Sequence, residues 1–173
     1  MSLTAPERAR QTPRLGEREL SMTVGQKRVL VVDDDAAIRE ILTAVLQQHE
    51  LIVDAADGGA AAVEFLREHQ YAVVLLDLLM PGVDGFALLD RMAGGEVASP
   101  PVVLVITAAD RTAIERLDAQ RIHGIVRKPF DPEEIARLVV ACAEIKSRSP
   151  FGPMAIATMI AGGPFLALLQ RLP

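Results

Sequence analysis

Five side chains able to do chemistry stand at the ends of strand-like runs. They are Asp33 and Asp34 after Val29-Leu30-Val31-Val32, Asp77 after Ala72-Val73-Val74-Leu75-Leu76, Thr107 after Val102–Ile106, and Lys128 after Ile122–Arg127. Carboxylates crowded together repel and raise one another's pKa unless a cation lies among them. An all-oxygen acidic set without His or Cys selects a hard ion, Mg2+ or Mn2+. A nearby lysine and hydroxyl suit a phosphoryl group, the first as a point charge for one oxygen, the second as a donor for another. In that company Asp77 can act as a nucleophile and form an acyl phosphate, the metal neutralising the charge that builds up. The plainer reading makes them unrelated caps and turn residues, and it needs a separate coincidence at each strand end.

The elements that must position these groups follow from hydrophobic period. Ala72 to Leu76 is a short apolar run that stops at Asp77, followed by Met80-Pro81-Gly82 and Asp84-Gly85. This is a buried strand handing one carboxylate to a loop. In open α/β sheets ligands bind at that carboxyl edge. Further strands are expected at Arg28–Val32, Leu51–Ala55, Val102–Ile106 and Ile122–Arg127. Helices alternate with them. Ile38, Ile41, Leu42, Val45 and Leu46 form one apolar face, with Asp34 or Asp35 as cap. Ala60–Glu68 turns Val63, Phe65 and Leu66 inward. Phe86, Leu88, Leu89 and Met92 mark a third helix, ended by Gly94-Gly95, and a polar helix is expected over Asp110–Ala119. The last begins at Asp131-Pro132 and buries Ile135, Leu138, Val139, Cys142 and Ile145. Strands apolar on both faces need helices on both faces, so the fold class is α/β, a doubly wound five-stranded parallel sheet. The second strand delivers nothing ionic of note to the edge.

Composition excludes other classes. The chain has 173 residues, half of them apolar, and only 3% aromatic. The scarcity of aromatics argues against base stacking on nucleic acid. Residues 27–148 carry 13 basic and 20 acidic side chains, a net of −7, which argues against a phosphate-backbone binder. The single cysteine, Cys142, forms no internal disulfide and reads as a small buried hydrophobe in a reducing cytoplasm. His49, His69 and His123 stand alone, without metal-ligand spacing.

Val31-Val32-Asp33-Asp34-Asp35, Leu75-Leu76-Asp77-Leu78-Leu79-Met80-Pro81-Gly82-Val83-Asp84-Gly85, Ile106-Thr107-Ala108 and Arg127-Lys128-Pro129-Phe130 together resemble the receiver domain of bacterial two-component response regulators, of the single-domain, chemotaxis-like kind. The resemblance covers residues 27–147 and implies a flavodoxin-like strand order 2-1-3-4-5. It implies that Asp77 accepts a phosphoryl group from a histidine kinase or phosphotransfer protein, and that the chain is a signalling switch acting on a downstream protein target. Asp34 and Asp77 would bind Mg2+ (or Mn2+) directly with the main-chain carbonyl of Leu79, and Asp33 through water. Thr107 would be the switch hydroxyl and Lys128 the phosphoryl contact, with a cis Lys128–Pro129 bond.

Two positions depart from the family's common pattern. Ile125 stands where many members carry an aromatic coupled to the threonine, so rotation of a ring cannot transmit the switch here. Leu79 and Ala109, two residues after Asp77 and Thr107, cannot orient an attacking water, which predicts a long-lived phosphoryl group.

Residues 1–26 read as a disordered leader without a signal peptide. Residues 148–173 form an apolar tail broken by Pro153 and Gly162-Gly163-Pro164, a poor membrane span; its pieces Met154–Ala161 and Phe165–Leu172 would each reach about 12 Å as helices. Its expected roles are packing on the receiver, pairing with a second copy in a homodimer, or membrane contact, the last not favoured, with a disordered tail as the remaining reading. Too few residues follow Ser147 for a DNA-binding or catalytic output domain, so contact with proteins, and no direct nucleic acid, is expected. The alternatives are a Mg-dependent aspartyl-phosphate hydrolase of haloacid-dehalogenase type, which wants its nucleophile after the first strand and a cap insertion, and a constitutive receiver-like scaffold. The chain is otherwise expected not to be an enzyme beyond its own phosphorylation and dephosphorylation, and to be cytoplasmic.

Overall fold

The apolar runs become five strands: β1 (Arg28–Val32), β2 (Ile52–Ala56), β3 (Val73–Leu76), β4 (Val102–Thr107) and β5 (Gly124–Arg127). The computed structural model describes residues 27–81, 85–94, 100–115, 117–118 and 121–148; the leader, Gly82-Val83-Asp84 and the tail beyond Arg148 lie outside them. The strands form one parallel sheet in the order β2-β1-β3-β4-β5. Register is set by the central pair, Val29 to Val32 facing Val73 to Leu76. On the other side of β3, Leu76 pairs with Val105, and Thr107 of β4 pairs with Arg127 of β5. The expected fold class and strand order are therefore those observed.

Between the strands run α1 (Ala36–Gln48), α2 (Gly59–Glu68), α3 (Gly85–Ala93), α4 (Arg111–Glu115) and α5 (Pro132–Arg148). Successive strand residues point to opposite faces, so the sheet carries two separate cores. Val31, Leu75, Leu104 and Ile106 pack with Leu42 and Leu46 of α1 and Ile135, Val139 and Cys142 of α5. Leu30, Val74, Leu76 and Val105 pack with Val63 and Leu66 of α2 and Leu88 and Met92 of α3. Fully burying one such side chain contributes about 1.5–3 kcal/mol, so each face supplies several large terms. Among the described residues no helix is long and apolar enough to cross a membrane.

Two expectations need correction. Ile41 is exposed, not inward. The buried side chains of α1 are Leu42 and Leu46, and Ile41 is rotated about 100° from Leu42 around the helix axis, away from the sheet. The described helix α4 is a single short stretch, Arg111–Glu115, not Asp110–Ala119. Beyond what was expected, the second strand carries Asp54 within the sheet, away from the ligand-binding edge. Asp54 accepts hydrogen bonds from the Arg28 guanidinium at 2.6 Å and the Tyr71 hydroxyl at 2.7 Å, which ties the edge strand to β1.

Candidate functional site

Parallel pairing continues just past the strand ends and so fixes where each functional residue leaves the sheet. Asp33 N–H still donates to Ala56 O at 3.2 Å, and Asp77 N–H to Val32 O at 2.8 Å. Asp33 and Asp77 thus emerge on adjacent strands at the same edge. The chain turns away at once. Asp33 Oδ1 accepts from Asp35 N–H at 3.0 Å, and Asp35 caps α1 by accepting from Ala37 N–H at 2.8 Å. Asp77 Oδ1 accepts from Leu79 N–H at 3.0 Å in a turn of the same kind. Gly85 lets α3 start hard against this turn. A Cβ there would lie 2.4 Å from Asp77 O, so only glycine fits.

From the other side of the sheet, Lys128 N–H donates to Thr107 O at 3.1 Å, joining the ends of β4 and β5. The Lys128–Pro129 peptide is cis, as expected. Lys128 Nζ then reaches across to donate to Asp33 Oδ2 at 2.7 Å and to Asp77 Oδ2 at 2.6 Å. Thr107 is fully buried at the end of β4, the strand next to the one that delivers Asp77. Its hydroxyl oxygen accepts from Ala109 N–H at 3.1 Å. Ile125 is half-buried among the residues of the second core, which include Val105 and Ala109.

Asp33, Asp34 and Asp77 each offer a carboxylate oxygen, all within 4.8 Å of one another. Asp33 and Asp77 are buried while Asp34 is exposed. Burial pushes the Asp33 carboxyl above its ordinary range, only partly offset by the hydrogen bonds from Lys128 and Asp35, and the charge of Asp77 adds to the rise. Burial pulls the Lys128 ammonium down, but its bonds to Asp33 and Asp77 outweigh that and hold it above the ordinary lysine value. Lysine is thus the internal counter-charge of an acidic edge. Three carboxylates, open to solvent at Asp34, form a donor set that fits a hard divalent cation.

Residues 29–140 match the response regulator receiver domain. The chain belongs to that family. Among curated relatives, this receiver is 32% identical over 126 residues to the transcriptional regulatory protein ResD of Bacillus subtilis. The match takes in 73% of this chain and 52% of ResD, so the chain spans about half the length of that relative. Among solved structures, the CheY-like receiver domain protein of Methanospirillum hungatei superposes with a TM-score of 0.64 at 18% identity, over 72% of this chain and 98% of that one. The response regulator TrrA of Thermotoga maritima, solved in complex with Mg(2+)-BeF, gives a TM-score of 0.59 at 28% identity, over 68% of this chain and 99% of that one.

All five strand-end residues of the sequence reading reach one edge of this receiver, and the structure brings Asp33, Asp34, Asp77 and Lys128 together directly. Sequence reasoning missed Arg39. Its Nη1 donates to Asp33 O at 2.7 Å and to Asp34 O at 2.9 Å. No spacing rule marks it, because an arginine between apolar helix positions looks like any solvated charge.

Proposed function

We propose that this chain is a phosphorylation-dependent signalling switch, with Asp77 accepting a phosphoryl group from a histidine kinase or phosphotransfer protein. One observation carries the reading: a single lysine ammonium bridges Asp33 and Asp77, with Asp34 alongside. Asp34 and Asp77, with the Leu79 carbonyl, would hold Mg2+, and Asp33 would assist through water. A cation held there would supply positive charge against the transferring phosphoryl oxygens. That the similar TrrA was solved in complex with Mg(2+)-BeF supports a cation in a protein of this fold.

The Asp77 carboxylate attacks phosphorus as the P–N bond to the donor histidine breaks, and the departing nitrogen keeps the electron pair and its imidazole becomes neutral. Lys128, already at hydrogen-bond distance from Asp77, transfers one of its contacts to a phosphoryl oxygen. Thr107 gives up its bond with Ala109 N–H and turns its hydroxyl to another. Because Ile125 has no ring to rotate, the shift passes to the surface through backbone and aliphatic packing around Ala109. The output is altered contact with a downstream protein in the cytoplasm, without direct nucleic-acid binding, and a homodimer is one form that contact can take. The family match and a nucleophile just after the third strand, not the first, support this reading over a haloacid-dehalogenase hydrolase or a constitutive scaffold.

Acetyl phosphate with Mg2+ should convert the full chain to a species retarded on a phosphate-affinity gel, and Asp77→Asn should abolish it. Equal labelling of Asp77→Asn, or steady turnover of small phosphate esters, would overturn the assignment. A panel of purified sensor kinases then identifies the donor.

A further inference from the structure

The loop that carries Asp33 and Asp34 leaves the sheet before α1 begins, so its carbonyls have to find partners elsewhere. Three consecutive ones go to a single residue. Arg39 takes Asp33 O and Asp34 O with its guanidinium, at 2.7 and 2.9 Å, and Asp35 O with its own backbone N–H, at 3.1 Å. The Asp33 carboxylate is also fixed by Asp35 N–H and Lys128. Among the described residues nothing holds the exposed Asp34 carboxylate, so its direction is set by the backbone from which it projects, and Arg39 clamps that backbone.

We propose that Arg39 is a positioning residue for the metal-binding carboxylates, holding the 33–34 peptides so that Asp34 meets the cation with Asp77. The inference rests on the metal-site reading above. It has a sign that separates it from charge alone. A guanidinium near a dication is repulsive, so removing it would tighten metal binding if electrostatics dominated. If positioning dominates, removing it weakens binding.

The test measures Mn2+ affinity of the full chain by the electron-spin-resonance signal of free Mn2+, for wild type, Arg39→Gln and Arg39→Lys. Arg39→Gln, with neither the reach nor the charge, should bind about tenfold more weakly, as for other groups that orient metal ligands. Arg39→Lys, one bond shorter but still a donor, should fall between. Urea unfolding in EDTA checks that both variants are folded, and if Arg39→Gln is not, Arg39→Lys decides, equality with wild type overturning the proposal. Phosphorylation by acetyl phosphate adds a second readout: Arg39→Gln should need more Mg2+ for half-maximal rate yet reach the wild-type rate at saturation. Wild-type or tighter Mn2+ binding by Arg39→Gln overturns the role given to Arg39. A wild-type chain that binds no Mn2+ overturns the metal site itself, and the proposal with it.

Discussion

Lys128 is the residue on which the acidic edge depends most when no metal is bound. It stands between two buried carboxylates, one of which burial already pushes toward protonation. Removing one partner of such a pair leaves like charges facing each other without compensation, at a cost of about 3 kcal/mol. Lys128→Gln should therefore lower the urea midpoint clearly in EDTA, and saturating Mg2+ should restore much of the loss by supplying the missing positive charge. A loss of equal size with and without Mg2+ would show that lysine and cation do not share one site. A second residue-scale prediction concerns Leu79 and Ala109. Leu79 is 53% exposed and Ala109 is buried, and neither carries a group that can orient water. The phosphorylated chain should persist for minutes or longer in Mg2+, and Leu79→Asn should shorten that lifetime. Decay of the unmodified sequence within seconds would contradict this.

Among the elements, the start of α3 is the least forgiving. Gly85 packs against the backbone of Asp77 and Leu78, with 2.4 Å to Asp77 O from an added Cβ. Backbone cannot give way as a flexible side chain can, so Gly85→Ala should cost about 1–3 kcal/mol by displacing either the helix or the turn. It should also weaken Mn2+ binding, because that turn bears Asp77. At the opposite edge, His123 extends the β4–β5 pairing with its side chain. Its Nδ1 accepts from Val103 N–H at 3.0 Å, while its backbone N–H donates to Val103 O at 2.8 Å. A proton on Nδ1 would abolish the first bond, and burial and the nearby Lys146 both lower the His123 pKa below its ordinary 6.5. A depressed pKa means that the unfolded chain takes the proton first. Stability is therefore full above about pH 6.5 and falls as pH drops below it. His123→Asn, which can accept the same hydrogen bond without titrating, should flatten that decline in a series of urea midpoints. Within these elements, legibility followed a simple rule. Strands closed by Asp, Thr or Lys announced themselves, because an apolar run has one reading when a charge ends it. Ile41 did not, because an apolar stripe on α1 wider than its contact with the sheet does not say which margin stays outside. Nor did the Arg28–Asp54–Tyr71 cluster, which exists only once Arg28 is in register with Ile52.

At the scale of the molecule, residues at the ends of four strands close one site, so a cation bound there should stabilise the fold as a whole. At a hundredfold excess over its Kd, Mg2+ should add about 2.7 kcal/mol to the unfolding free energy, and Asp34→Asn should remove most of that gain in thermal melts. The expected fold class and acidic edge were readable because alternation of strand and helix and doubly apolar strands leave few architectures, and the strand order came with the family resemblance. Arg39 was not, since its role depends on a loop path that only the folded backbone defines. That same path bears on synthesis. Lys128 and Asp33 are 95 residues apart, so a chain emerging from the ribosome presents its acidic loop long before the lysine that balances it. The acidic edge is therefore complete only when β5, the last of the five strands in chain order, has joined the sheet.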